Sequence, residues 1–145
     1  MMRLADIGVR IESGGLGAGV TALLYEIADG VEHLASDGET GAIDLGSLPL
    51  SPVDREHLQR MLGTGEVEAT LKVDGLSHIR ETGIPGVWWI EHRDARGGLI
   101  AELIEFTRIP DILCASVEDL DRGAAVLRAR VAGGGAGATA TEEAS

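Results

Sequence analysis

Aromatic residues make up only 3% of this 145-residue chain, and both tryptophans stand side by side as Trp88-Trp89. Basic residues are also scarce. The 12 Lys and Arg residues face 24 acidic ones, Lys72 is the only lysine, and the net charge of −12 repels phosphate backbones, so nucleic acid is excluded as an expected partner. With a single cysteine, Cys114, one chain offers neither an internal disulfide nor an all-cysteine metal site, which fits a reducing cytoplasm. Cys114 itself is expected to be a small buried hydrophobe rather than a nucleophile. No apolar run approaches the ~20 residues that a membrane helix needs. Met1 to Asp6 lacks a secretory apolar region, so the chain is read as cytoplasmic, with no membrane partner.

Signatures of chemistry are missing too. His33, His57, His78 and His92 fall on separate elements with no metal-ligand spacing. His78 and His92 lie on consecutive strands and are near enough in order to approach one another, yet two exposed strand histidines account for them as well. No Gly-x-Ser-x-Gly elbow, catalytic cysteine signature or singled-out carboxylate pair appears. The glycine-rich Ser13 to Gly19 has neither the spacing nor the Gly-Lys-Ser/Thr ending of a phosphate loop, and reads as an entry to the next helix. The expectation is a binding protein without metal or cofactor, not an enzyme.

What is present is a well-punctuated α+β pattern. The length suits one domain that buries roughly two thirds of the unfolded chain's surface. Val20, Leu23, Leu24, Ile27, Val31 and Leu34 recur at helical steps, which predicts an amphipathic helix ended by Asp37-Gly38 and weakened by about 1 kcal/mol at Gly30. Residues 38–50 read as a loop. Ser51-Pro52-Val53-Asp54 then combines an N-cap, a first-turn proline and a first-turn acid, opening a helix from Pro52 to Leu62 that Gly63 stops. Glu66 to Val73 alternates polar and apolar residues as a half-buried strand does, and Asp74-Gly75 turns it back into Leu76 to Thr82. After the Pro85-Gly86 turn come strands from Val87 to Arg93 and from Leu99 to Ile109. Ser116 caps a last helix with the stripe Val117, Leu120, Ala124, Leu127 and Val131. The predicted architecture is a four-stranded antiparallel meander with two N-terminal helices and one C-terminal helix. It forms a single domain over 20–132, after an arm and glycine-rich linker at 1–19 and before a disordered tail at 133–145.

Neighbouring strand residues point to opposite faces, so Trp88 and Trp89 cannot share one. Trp88 lies with Ile90 and is assigned to the core. Trp89 lies with Val87 and Glu91 and is expected to be mostly exposed, as an interface anchor. The last strand is apolar on both faces near its middle, which predicts cover from a second chain and hence a homodimer. Glu102, set among Ile100, Ile104 and Phe106, is expected to pair with an arginine such as Arg80 or Arg93, or to edge a site.

With these residues read, the chain resembles the C-terminal region of the HupH/HyaF family of hydrogenase expression/formation proteins, accessory factors for nickel-iron hydrogenases. The similarity runs from about Ala22 to Val131. It is carried by Leu23 to Ile27, Gly41 to Asp54, Leu62 to Val67, Ile104 to Leu113 and above all Glu81-Thr82-Gly83-Ile84-Pro85-Gly86-Val87-Trp88-Trp89. The resemblance implies a non-catalytic maturation factor whose partners are a hydrogenase precursor, expected to be the iron-sulfur small subunit, and other maturation factors. It also implies longer family members with two related copies of this domain, whereas this chain has room for one, so two chains pairing would imitate the double form. The expected partner-binding residues are Arg80, Glu81, Thr82, Ile84, Pro85, Gly86, Val87, Trp89 and Glu102. The competing readings are a structural subunit retained in mature hydrogenase and a small-molecule enzyme using Glu102, His78 or His92.

Overall fold

The computed structural model describes residues 17–134. Most of the arm and linker expected at 1–19 and nearly all of the expected tail lie outside them. The chain divides into two compact units, one ending at Pro110 and one beginning at Asp111.

The first unit opens with helix α1, Ala18–Asp37. Of the predicted stripe, Val20, Leu23 and Ile27 are buried and Leu24, Val31 and Leu34 half-buried, and the N–H of Gly38, in the left-handed region at φ 73°, donates to the Leu34 carbonyl to close the end. Helix α2, Pro52–Leu62, has the predicted cap in full: Ser51 Oγ accepts from the Asp54 N–H while the Asp54 carboxylate accepts from the Ser51 N–H.

The sheet has five antiparallel strands, not four. They are β1 Gly41–Asp44, β2 Glu68–Leu71, β3 Leu76–Glu81, β4 Val87–Arg93 and β5 Leu99–Phe106, in the order β1-β5-β4-β3-β2. The predicted meander from β2 to β5 is present. The addition is β1, which pairs with the free edge of β5 from Gly41 opposite Phe106 to Asp44 opposite Leu103. Only Ile43 of its four residues is buried, so it is too short to show alternation within the stretch read as a loop.

Cross-strand register explains which face the helices cover. Residues opposite one another in a ladder share a face. Ile43, Ile104, Trp89, Arg80 and Glu68 therefore form one row across all five strands, beside a row of Phe106 and Val87. This face carries the continuous apolar surface, and α1 and α2 lay Leu23, Ile27, Leu58 and Leu62 on Ile43, Val87, Trp89, Ile104 and Phe106. Trp89 is consequently 1% exposed, against the expected open position, and Trp88 on the other face is 5% exposed. The core position expected for Trp88 therefore holds, with Ile90 beside it 1% exposed, although the row through Trp88 itself holds Glu105 and Glu81. β5 is exposed at Leu99 and Ile100, while Ile104 and Phe106 are buried under this chain's own helices.

Gly30 has a packing role that its low helix propensity conceals. A Cβ there would lie 2.5 Å from the Phe106 ring, so the glycine lets α1 approach β5.

Among its described residues the second unit holds one 3-10 turn, Asp111–Leu113, and helix α3, Val117–Ala132, where the predicted cap Ser116 is closed reciprocally by Asp119. Cys114 follows the turn and is exposed, contrary to the expected buried position, because this short connection has no core of its own.

Candidate functional site

The connection between β3 and β4 is a pinned turn. Thr82, 2% exposed, donates its hydroxyl to the Val87 carbonyl at 2.8 Å and accepts from the Ile84 N–H at 3.1 Å. The Thr82 N–H reaches the same Val87 carbonyl, and the Val87 N–H returns to the Ile84 carbonyl. Neighbouring segments hold it from both sides: the Gly83 N–H donates to the Leu62 carbonyl, and the Gly86 carbonyl accepts from the Thr107 N–H. Gly86 sits at φ 89°, a conformation that L side chains rarely adopt.

This turn forms one wall of a groove of about 540 Å³. Pro85 and Gly86 face the last turns of α1, where Val31, Leu34 and Ala35 supply the opposite apolar wall, and Arg108 brings the guanidinium at its rim. Ile84, 38% exposed, and Ile109, 56% exposed, extend the apolar surface beside it. A site built this way suits an apolar segment bearing an acidic group, since its walls are apolar and its one cation is exposed.

The nine expected partner-binding residues separate by burial. Ile84 and Pro85 are exposed, and Arg80, Glu81 and Gly86 are half-buried. Thr82, Val87, Trp89 and Glu102 are buried and offer no surface, so for these four the expectation is corrected: they support the turn and the core. Glu81 is partly engaged by the Glu66 N–H, and the Arg80 guanidinium lies 5.1 Å from the Trp89 ring centroid, within cation–π reach.

Glu102 pairs with an arginine that sequence reading did not single out. Its Oε1 takes a charge-assisted bond from Arg55 Nη1, and its Oε2 accepts from Trp89 Nε1 at 2.8 Å. The signal for Arg55 was its place on α2, three and seven residues before Leu58 and Leu62, which puts it on the buried side of the helix. Neither Arg80 nor Arg93 fills this role. Arg93 instead meets Glu91 and the Gly97 carbonyl.

The three groups of the enzyme reading do not converge. His78 is opposite Glu91 and His92 opposite Ser77, so the two imidazoles point to opposite faces. His78 is engaged with Glu68 and His92 with Ser77 Oγ at 2.7 Å. Among the described residues, no group of three His, Cys, Asp or Glu is placed to hold a metal ion, and no helix is long and apolar enough to cross a membrane. His33, on the exposed side of α1, places Nδ1 2.9 Å from the Asp29 carbonyl; this bond, with the nearby Asp37, Glu39 and Asp29 charges, raises its pKa above the ordinary 6.5.

Comparison with known proteins places this geometry. Residues 18–133 match the family described as HupH hydrogenase expression protein, C-terminal conserved region. The chain is 34% identical over 120 residues to the hydrogenase expression/formation protein HoxQ of Azotobacter vinelandii, covering 81% of this chain and 42% of that protein. It is 34% identical over 84 residues to the hydrogenase-1 operon protein HyaF of Escherichia coli K12, covering 58% of this chain and 30% of that one. The chain thus spans less than half the length of these curated relatives. Among solved structures it is similar to the hydrogenase expression protein HupH from Thiobacillus denitrificans, at 42% identity and a TM-score of 0.77, covering 81% of this chain and 98% of that chain.

Proposed function

The chain belongs to the HupH hydrogenase expression protein family through its C-terminal conserved region, and from that membership we propose that it is a non-catalytic maturation factor that holds a nickel-iron hydrogenase precursor. The precursor is the iron-sulfur small subunit, and it docks in the groove between α1 and the β3–β4 turn. The observation that carries this reading is the groove itself: an open apolar cleft whose one wall is the hydrogen-bonded Pro85-Gly86 turn, with Arg108 at the rim. Preformed walls reduce the ordering cost of binding, and the exposed arginine selects a segment with a carboxylate beside its apolar residues.

Pull-downs against precursor and mature hydrogenase test the proposal. Wild-type protein should capture precursor and leave mature enzyme. Ala35→Glu, which puts a charge on an exposed apolar wall, and Arg108→Glu, which reverses the cation facing the partner's acid, should each weaken capture by about tenfold or more. Equal capture of mature enzyme, or capture indifferent to both substitutions, would overturn it.

A further inference from the structure

Helix α3 differs from α1 in the shape of its apolar stripe. Val117, Leu120, Leu127 and Val131 are 70%, 62%, 62% and 75% exposed, and with Ala124 they recur at steps of three, four, three and four residues. Such a strict heptad seam is the narrow pattern by which one helix packs on another, whereas α1 lays a broader stripe on the sheet. The charges of α3 are segregated along its axis. Glu118, Asp119 and Asp121 lie in its first half, and Arg128 and Arg130 in its second, with Arg122 between them bonded back to Asp119 at 2.9 Å. Its three acids and three arginines cancel, so the −12 of the whole chain resides elsewhere.

We propose that α3 is a self-association surface, on which α3 of a second copy of this chain lies antiparallel. This reading is independent of the docking groove. In the antiparallel alignment, Ala124 of one protomer stacks in a layer with Leu127 of its partner, and Leu120 with Val131, so small sets against large. The positions that flank the seam are Asp121 and Arg128 on one side, and Gly123 and Arg130 on the other. The same alignment sets Asp121 of one protomer opposite Arg128 of its partner, and the twofold axis repeats the pair. A parallel alignment places Ala124 against Ala124 and leaves a gap at the centre. It also sets Asp121 beside Ser116 and Arg128 beside Gly123, with no ion pair gained. Charge complementarity therefore selects both the partner and its direction.

Sedimentation equilibrium of the full chain, from micromolar to millimolar concentration, tests the proposal through charge exchange. Wild-type protein should dimerise. Asp121→Arg alone sets arginine against arginine at both pairs, and Arg128→Asp alone sets acid against acid. Each should weaken self-association by about tenfold. The two single variants mixed in equal amounts should form a heterodimer, and the double variant D121R/R128D should recover wild-type self-association. Circular dichroism of each variant shows that α3 is retained, since both substituted positions are exposed. A wild-type chain that stays monomeric, single variants that dimerise like the wild type, or a mixture and double variant that stay dissociated would each overturn the proposal.

Discussion

Replacing Arg55 by methionine keeps much of the side-chain volume while removing the cation that faces the Glu102 carboxylate. That carboxylate's side chain is 4% exposed, so water cannot take over from the guanidinium. Breaking a buried ion pair by deleting one partner typically costs about 3 to 5 kcal/mol. Here two features reduce the figure: the Arg55 side chain is 32% exposed, and Trp89 Nε1 still donates to Glu102 Oε2 at 2.8 Å. Arg55→Met should therefore destabilise by about 2 to 3 kcal/mol, which for a domain of this size lowers Tm by about 6 to 9 °C. Glu102→Leu is milder. It leaves Arg55 free to extend into solvent and strands only the indole N–H, at about 1 to 2 kcal/mol. Once the carboxylate is gone the arginine has no buried partner to serve, so R55M/E102L should be no less stable than Glu102→Leu alone. The coupling in the double-mutant cycle should then be about 2 kcal/mol in favour of the double variant. Denaturant melts of the four proteins measure it. Additivity within about 0.5 kcal/mol would refute a structural ion pair at this position.

Both tryptophans should behave as core residues: Trp89→Ala, which also strips a donor from Glu102, should cost at least as much as Trp88→Ala, whose indole donates to the Thr107 carbonyl, with each at about 3 to 5 kcal/mol. A Trp89→Ala melt within about 1.5 kcal/mol of wild type would reinstate an exposed position for that ring. His33 should titrate with a midpoint above 6.5, because the Asp29 carbonyl and nearby acids favour the imidazolium. The sign follows from linkage: its contribution to stability is fully present below pH 6.5 and is lost as pH rises through the higher folded-state value. An NMR titration placing the midpoint at or below 6.5 would refute the hydrogen bond's role, and His33→Gln should flatten the corresponding part of the stability profile.

The sequence by itself determined what is local. Ser51 with Asp54 and Ser116 with Asp119 announce their helices, because a capping box is closed by residues three apart. Asp74-Gly75 and Pro85-Gly86 likewise set the order of three strands, since turn chemistry acts within a few residues. The turn at the candidate groove was legible for the same reason. Its opposite wall and its rim were not, because Val31, Leu34 and Arg108 meet the turn only through folding. Tertiary structure alone decided that β1 completes the sheet at the edge of β5 and that Arg55, 47 residues before Glu102, neutralises it. It also decided which tryptophan the helices cover. Alternation along β4 says only that Trp88 and Trp89 point apart. The face that α1 and α2 bury is chosen by the cross-strand row from Ile43 through Ile104 to Trp89, and a row across strands exists only after the register is set.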